Sequence, residues 1–293
     1  MYHLILNRHA ARGRLLAFLP RLERALQGAG LDYVLHRTES PLEVLALAQT
    51  LADQATLVGV GGDGTLHSVV GAAVAYGREF GMIPLGSAND YVRGLGWDMS
   101  LAASVRRLGQ PAAALDAGCL GDGRVFANGL GMGFDAQVAR LAHQAPGNLR
   151  GLGRYLWAVA QALRDLEQRR ATVYADGRLV FDGPALLIAV MNGTRYGGGF
   201  RIAPQAHPAD GLFDVVIARE LRRAQVAAVL PRVIAGLHLN HPAVLHLRAR
   251  EVQVLWEAPV DAHVDGEMAA ASDRFHARIL PGALRLRGAG PLR

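Results

Sequence analysis

Thr56-Leu57-Val58-Gly59-Val60-Gly61-Gly62-Asp63-Gly64-Thr65 is the most informative segment of the chain. A short apolar run, typical of a buried strand, ends in glycines around an acid, and apolar residues at helical spacing follow. Glycines allow unusual backbone conformations and close approach, and a helix start offers unpaired N–H groups that suit an anion. Asp63 adds a carboxylate that can act through Mg²⁺, and Thr65 adds a hydroxyl. The segment predicts a phosphate-binding turn, with an ordinary strand-to-helix turn as the alternative.

A second glycine turn lies about one strand and one helix further along the chain. Gly81-Met82-Ile83-Pro84-Leu85-Gly86-Ser87-Ala88-Asn89-Asp90 again predicts a strand, a turn and a helix start. Ser87, Asn89 and Asp90 suit helix capping, and Ser87 with the turn amides also suits contact with a nucleotide phosphate. Because ligands in open α/β sheets gather at the carboxyl ends of neighbouring strands, we expect Asp90 to face Asp63.

The two glycine turns together resemble the catalytic domain of the soluble, bacterial-type diacylglycerol kinase family, which is related to sphingosine and ceramide kinases. NAD kinases look similar at the first turn, but further matches to the lipid kinases follow in order over nearly the whole chain. These matches are Phe126-Ala127-Asn128, Gly131–Ala136, Asn192-Gly193 with Gly197–Gly199, Ala203–Ala206, Asp210–Asp214, His238 after Gly236, and Asp265-Gly266-Glu267.

The order of strand-like and helix-like segments predicts two domains. Residues 1–122 alternate between the two types, which predicts an α/β nucleotide-binding domain with a mostly parallel sheet. Residues 123–283 contain mainly strand-like runs, which predicts an antiparallel domain, and the resemblance implies a β-sandwich that takes the lipid substrate. Helices are expected within it at Tyr155–Gln168 and Leu221–Ala235. The resemblance also implies that residues 284–293 pack back on the first domain.

Composition limits the class of protein. The 293 residues are 51% hydrophobic, yet no run of 18 or more apolar residues lacks charge, so no membrane span is predicted. The N-terminus does not have the pattern of a signal peptide, and the single cysteine, Cys119, fits a reducing compartment. A cytoplasmic protein is therefore expected.

The positive charge lies in the second half of the chain. Residues 1–125 hold 11 arginines and 11 acids, whereas residues 126–293 hold 20 arginines and 14 acids and so carry the whole net charge of +6. The arginine clusters, such as Arg219, Arg222 and Arg223, form either a solvated helix face or a contact with anionic lipid at the inner membrane surface. Aromatic residues do not interleave with these clusters, which argues against nucleic acid. Whether the chain forms a homodimer is left open.

The resemblance assigns a set of ATP contacts in the first domain. The family's Asn-Pro and glycine-containing loop after the first strand becomes Asn7-Arg8, with Ala11 in place of one glycine, so the loop shape is expected to differ. Thr38 matches a nucleotide-contacting threonine, although it also suits the start of a helix. The implied ATP-binding residues are Asn7, Thr38, Gly61, Gly62, Asp63, Gly64, Thr65, Ser87 and Asn89.

The acids carry the chemistry that the resemblance implies. Asp63, Asp90 and Asp116 would hold the catalytic Mg²⁺ through water, although Asp116 also fits a turn before Gly118. Glu267 would accept the proton of the lipid hydroxyl, with Asp265 beside it.

Each of the remaining acidic motifs has a simpler interpretation. The Asp-Gly-Glu sequence that contains Asp265 and Glu267 also suits a plain hairpin turn. The loop at 206–212 would hold a structural Mg²⁺ through the Asp210 side chain and the carbonyls of His207 and Leu212. It also fits a surface turn.

These features predict an ATP- and Mg²⁺-dependent kinase of lipid metabolism that phosphorylates a primary hydroxyl of a membrane lipid, in the manner of phospholipid biosynthesis. Diacylglycerol, phosphatidylglycerol and sphingoid bases all remain candidates for the acceptor. One alternative is an NAD kinase, which does not account for the Asp-Gly-Glu motif. Another is a catalytically silent nucleotide- or lipid-binding protein, which the retained acids argue against.

Overall fold

The structure of the chain is a computed structural model that describes residues 1–7 and 15–290. Residues 8–14 and 291–293 lie outside the described part, as do the side chains of residues 7 and 15–17. The chain divides into two compact units, one of Met1–Ala117 with Pro281–Arg293 and one of Gly118–Leu280. Within the described residues, no helix is long and apolar enough to cross a membrane.

The first unit is an α/β domain. Its strands are β1 (Tyr2–Asn7), β2 (Tyr33–Thr38), β3 (Thr56–Gly61), β4 (Glu79–Pro84) and β5 (Ala112–Leu120), the last of which continues into the second unit. Its helices are α1 (Leu15–Gly28), α2 (Pro41–Thr50), α3 (Asp63–Ala75), α4 (Asp90–Gly94) and α5 (Leu101–Leu108). β1 pairs with β2 and β3, and β3 pairs with β4, each in parallel. Near the chain end, Arg285 and Leu286 also pair with β4 in parallel.

The register of the first sheet places the two glycine turns side by side. Gly61, the last residue of β3, is the partner of Pro84, the last residue of β4. Apolar residues fix this arrangement because the strands bury their side chains against α1 and α5. The buried residues of this core are Leu4, Leu6, Leu22, Leu26, Val58, Val60, Ile83, Val105 and Leu108.

The second unit is mainly β-structure. Its strands are β6 (Val125–Phe126), β7 (Gly129–Gly133), β8 (Arg169–Ala175), β9 (Arg178–Met191), β10 (Phe213–Arg219), β11 (Val244–Ala249), β12 (Glu251–Val264) and β13 (Glu267–Arg287). Its helices are α6 (Phe134–His143), α7 (Leu152–Ala162) and α8 (Arg223–Ala235). The pairings β11–β10–β9–β7–β12–β13 are all antiparallel, and β8 pairs with both β9 and β12.

The sheet of the second unit is covered on both faces. On β10, Val215 and Ile217 belong to one core, which lies between strands, whereas Val216 and Ala218 belong to another core, which α6, α7 and α8 share. Strand side chains alternate between the two faces of a sheet, so the apolar run 215–218 requires burial on both sides. The layer of α6, α7 and α8 also forms one side of a pocket.

Three helices differ from the sequence pattern. α3 begins at Asp63, directly after the glycines and ahead of the apolar residues that predict it. The helix predicted over 155–168 ends at Ala162, with a short 3₁₀ turn after it. Gln168 exchanges two hydrogen bonds with the backbone of Leu221, and this tertiary pairing outweighs local helix propensity. α6 lies in a segment where the sequence analysis predicted no helix.

Candidate functional site

The two glycine turns of the first unit touch each other through their backbones. A Cβ atom at Gly86 would lie 2.5 Å from the Cα atom of Gly62, and one at Gly61 would clash with the Thr65 hydroxyl. None of these glycines has a positive φ, and the φ of Gly62 is −105°. Close approach, rather than an unusual backbone conformation, is therefore what requires glycine here. Gly62 is also the N-cap of α3, where no side chain caps the first turn.

Asn89 closes the second turn. It has a φ of 50° and is buried, its Nδ2 atom donates to the Gly86 carbonyl at 2.7 Å, and its Oδ1 atom accepts from the Gly86 N–H at 3.1 Å. Asn and Asp tolerate this left-handed conformation better than most residues. Ser87, by contrast, is exposed at the tip of the turn. The structure thus gives Asn89 a role in shaping the loop and leaves the Ser87 hydroxyl accessible.

Three acids of the first unit have hydrogen bonds to backbone amides or lie beside the turns. Asp63 accepts a hydrogen bond from the N–H of Asp90 at 2.8 Å, which brings these two residues together as the sequence predicts. Asp116 lies within β5 and accepts from the N–H of Gly282 at 2.8 Å. Asp90 and Asp116 are 4% and 3% exposed, so their contacts are desolvated.

This donor set consists of oxygen atoms, which is what Mg²⁺ prefers. Within residues 1–7 and 15–290, no group of three His, Cys, Asp or Glu side chains is close enough to hold a metal ion directly. The acids Asp63, Asp90 and Asp116 therefore fit the ion as water-mediated partners and not as a ready-made cage.

The remaining predicted ATP contacts are described in part. Thr38 ends β2, is buried, and lies in register with Asn7 of β1. Thr65 is buried in the first turn of α3. The Asn7 side chain and the loop that contains Arg8 and Ala11 lie outside the described residues.

In the second unit, Asp265 and Gly266 form the two-residue hairpin turn between β12 and β13. Both have a positive φ, 52° and 89°, and Val264 pairs with Glu267 across the turn. An Asp-Gly pair favours this tight turn because its residues tolerate left-handed conformations. The Glu267 side chain is exposed at the first position of β13.

The Asp265 carboxylate is an anchor for the chain just before β7. It accepts hydrogen bonds from the N–H groups of Ala127, Asn128 and Gly129 at 3.0, 2.8 and 3.0 Å, and its residue is 6% exposed. Asn192 completes this connection by donating to the Ala127 carbonyl at 2.7 Å. Three sequence motifs that are far apart in the chain thus meet under one turn. Their spacing in sequence does not reveal this contact.

An apolar pocket lies between the sheet and the helices of the second unit. Its cavity volume is about 110 Å³, and its mouth is open to solvent. α8 contributes residues at i, i+3, i+4 and i+7, namely Val226, Val229, Leu230 and Val233. The other lining residues include Phe134, Val138, Tyr155, Val159, Leu186, Val216 and Gly266. The helical spacing on α8 was the sequence signal that could have indicated the pocket.

One corner of this pocket is polar. Tyr196 donates a short hydrogen bond to the Asp135 carboxylate, and the Nε2 atom of His263 lies 3.5 Å from the same carboxylate. Burial, together with the Asp135 charge, raises the pKa of Tyr196 well above its usual value, so the phenol stays protonated. Sequence reasoning included Asp135 only as part of a motif and gave no role to Tyr196 or His263.

In the loop predicted to hold a structural Mg²⁺, an arginine side chain already supplies a positive charge. Arg248 forms an ion pair with Asp210 and lies 3.6 Å from Asp214, and the N–H of Leu212 donates to Asp210 at 3.1 Å. The His207 carbonyl accepts from the N–H of Ala209 at 2.9 Å. The guanidinium neutralises the acid that the metal would need, so these residues do not fit the predicted ion.

Comparison with known proteins gives two matches that together span most of the chain. Residues 1–119 match the diacylglycerol kinase catalytic domain. Residues 128–288 match the YegS C-terminal NAD kinase β-sandwich-like domain. The chain is therefore similar, in this order of domains, to known two-domain kinases.

Individual relatives agree with these matches. The "Probable lipid kinase YegS-like" of Chromohalobacter salexigens is 31% identical over 248 residues, which are 83% of this chain and 78% of that protein. The diacylglycerol kinase of Bacillus subtilis is 29% identical over 218 residues, 72% of this chain and 70% of that one. A solved diacylglycerol kinase from Bacillus anthracis has a TM-score of 0.73 at 17% identity, covering 100% of this chain and 98% of the other, which shows likeness of fold.

Proposed function

The chain belongs to the diacylglycerol kinase family of lipid kinases, and from that premise we propose that it transfers the γ-phosphoryl group of ATP to a hydroxyl of diacylglycerol or a related membrane lipid, with Mg²⁺ as cofactor. The main support for a lipid as the phosphoryl acceptor is the apolar pocket of the second unit, because this pocket extends to Gly266, the neighbour of Glu267. Ligand pockets are typically apolar with a few convergent polar groups, and this one has that character.

The nucleotide would bind at the two glycine turns of the first unit. Their tight backbone contact leaves the start of α3 without a capping side chain, which suits a phosphate group. The exposed Ser87 hydroxyl offers a further hydrogen bond. Asn89 would act indirectly by holding the shape of the turn.

Asp63, Asp90 and Asp116 would hold Mg²⁺ through water. Bound there, the ion would supply positive charge to the phosphates, which is the main need of phosphoryl transfer because the reaction depends on positioning and electrostatics. The hydrogen bond from the N–H of Asp90 to Asp63 would keep the two carboxylate-bearing turns in a fixed relation.

Glu267 would accept the proton of the lipid hydroxyl. Its side chain is exposed, whereas the Asp265 carboxylate is occupied by three backbone N–H groups. These contacts support a division of roles, in which Asp265 holds the turn and Glu267 performs the proton transfer. The acyl chains of the lipid would enter the pocket under α8.

The experiment is an assay with radiolabelled ATP against diacylglycerol, phosphatidylglycerol, sphingoid bases and NAD. We expect label in a lipid and none in NAD. Asp63→Ala should abolish turnover with the fold intact, whereas Asp32→Ala, an exposed acid of the same unit, should not change it. Label in NAD alone would favour an NAD kinase, and no transfer to any acceptor would favour a silent binding protein.

A further inference from the structure

The polar corner of the lipid pocket is built from three buried side chains. Asp135, Tyr196 and His263 are 8%, 7% and 2% exposed, and all three line the pocket. The rings of Tyr196 and His263 pack edge to face with centroids 4.8 Å apart. A carboxylate in such a place costs free energy unless donors surround it.

The backbone around the corner is shaped to admit the carboxylate. Gly131 on β7 is the cross-strand partner of His263 on β12. A Cβ atom at Gly131 would clash with both the Asp135 carboxylate and the His263 ring, so only glycine leaves room for this cluster. The glycine-rich motif before α6 therefore has a structural purpose that its sequence did not disclose.

The hydrogen-bond pattern fixes which groups donate. The Nδ1 atom of His263 accepts from the N–H of Gly266 at 3.3 Å, so in the neutral ring Nε2 carries the proton and faces Asp135. The phenol of Tyr196 donates to the same carboxylate, and the N–H of Ala136 donates to Oδ1 at 2.9 Å. Every neighbour of Asp135 named here is thus a donor.

Counting acceptor positions leaves room for a ligand. An ionised carboxylate can accept about four hydrogen bonds; Tyr196 and Ala136 provide two, and the Nε2 atom of His263, at 3.5 Å, covers a third position. The remaining position can be filled only by a hydrogen-bond donor. A lipid ester carbonyl is an acceptor and cannot fill it, whereas a hydroxyl can.

We propose that Asp135 accepts a hydrogen bond from a second hydroxyl of the bound lipid, distinct from the hydroxyl whose proton Glu267 would accept, so that the polar corner selects lipids with two free hydroxyls and orients their chains toward α8. This inference rests on the proposed role of the pocket as the lipid site. It makes Asp135 a specificity-determining residue, with Tyr196 and His263 holding its carboxylate in place. The bond between His263 and Gly266 also connects the corner to the hairpin turn that precedes Glu267.

Binding without ATP tests this inference separately from catalysis. Affinities are measured by calorimetry on the full chain for 1-octanoylglycerol, which has two free hydroxyls, and for its 2-O-methyl ether, which keeps only the primary hydroxyl. We expect the wild type to prefer the compound with two hydroxyls by roughly tenfold or more, as one hydrogen bond to a charged group provides. Asp135→Asn, which keeps the shape, should reduce this preference severalfold, and Tyr196→Phe should reduce it less.

Leu230→Ala is the matched control, because Leu230 lines the pocket on α8 and has no polar group. This change should lower the affinities for both compounds by the same factor and leave the preference between them unchanged. Circular dichroism and thermal melting of each variant confirm folding. Equal affinity of the wild type for both compounds, binding of neither, or an unchanged preference in a folded Asp135→Asn variant would overturn the inference. Lipid turnover without such a preference would leave the kinase function standing, and a preference without turnover would leave only the binding site.

Discussion

Asp265 and Glu267 are two positions apart in one hairpin, yet their surroundings are opposite. Asp265 is buried and its carboxylate accepts three backbone N–H groups from the chain before β7. Glu267 is exposed. The Asp265 carboxylate is engaged by the backbone, whereas the Glu267 carboxylate is accessible to a substrate.

Replacing each acid by its amide should separate the two roles. In Asp265→Asn, the amide N–H₂ would face a backbone N–H, so one buried donor would lose its partner at a cost of about 1–3 kcal/mol in the free energy of unfolding. Urea denaturation measures this loss. In Glu267→Gln, stability should not change, whereas kcat should fall roughly 10²–10⁴-fold because a general base is lost.

The control for both variants is the affinity for ATP, which should remain close to that of the wild type. Unchanged stability of Asp265→Asn would contradict its anchoring role. Near-normal kcat in Glu267→Gln would remove this turn from the active site.

At the scale of elements, α8 has two different faces. Its inner face lines the pocket, and its outer face carries exposed alanines with Arg223 and Arg232. The segment 221–250 contains five arginines and no acid, and Leu237, just after α8, is 71% exposed. A basic surface with exposed apolar residues over an apolar pocket suits contact with an anionic membrane.

Changing Arg219, Arg222 and Arg223 to Gln should weaken binding to anionic vesicles. Each arginine near such a surface contributes about 1 kcal/mol to the binding free energy. Salt should also weaken vesicle binding by the wild type, because exposed charges are screened over about 8 Å. Vesicle co-sedimentation at two salt concentrations measures both effects. The matched control is the triple change of Arg21, Arg24 and Arg37 to Gln, which removes equal charge from the first unit.

Two results would contradict the prediction of membrane binding. Equal binding of the wild type to neutral and anionic vesicles at low salt would rule out an electrostatic contact. An equal loss of vesicle binding in the two triple variants would show that only the net charge matters and not the surface at α8.

The loop between Ala206 and Leu212 yields a second prediction at this scale. Because Arg248 neutralises Asp210, the melting temperature of the protein without nucleotide should be the same in EDTA and in Mg²⁺. Arg248→Met should lower it slightly, since an exposed ion pair contributes about 0–1 kcal/mol. A rise in melting temperature with Mg²⁺ that Asp210→Ala abolishes would instead show a structural metal at this loop.

At the scale of the whole molecule, three histidines in the two units affect stability in the same direction. In the first unit, the pKa of His3 is lowered by burial and by the nearby His36, and burial lowers the pKa of His36 as well. In the second unit, burial is the main cause that lowers the pKa of His238. All three therefore prefer to be neutral in the folded state.

Stability should therefore fall on mild acidification. Unfolded histidines bind protons near their ordinary pKa of 6.5, whereas the folded ones bind them only at lower pH, so the unfolded state gains protons first. We expect the melting temperature to be nearly constant above about pH 7.5 and to fall as the pH decreases through 6.5. His36→Gln should reduce the slope because it removes one of these groups. A melting temperature that rises as the pH decreases through 6.5 would contradict the role given to these histidines.

The local parts of the fold were predictable from the sequence. Apolar runs before glycines predict β3 and β4, and apolar residues at helical spacing predict α5 with the bounds found, because neighbouring residues along the chain determine these elements. The two-domain fold and the meeting of Asp63 with Asp90 also follow from sequence, through the resemblance to a family and the rule for strand ends.

The roles of individual side chains depended on the tertiary structure. The Asp265 carboxylate receives its hydrogen bonds from residues 136–138 positions away, and Asp210 meets an arginine 38 positions away. The pocket and its polar corner likewise join α6, α8, β12 and Tyr196, and the sequence analysis predicted no helix at α6. Local sequence determines the conformation of each segment because its interactions are between neighbours. Which donor reaches a buried carboxylate is decided only when packing brings distant segments together and removes water.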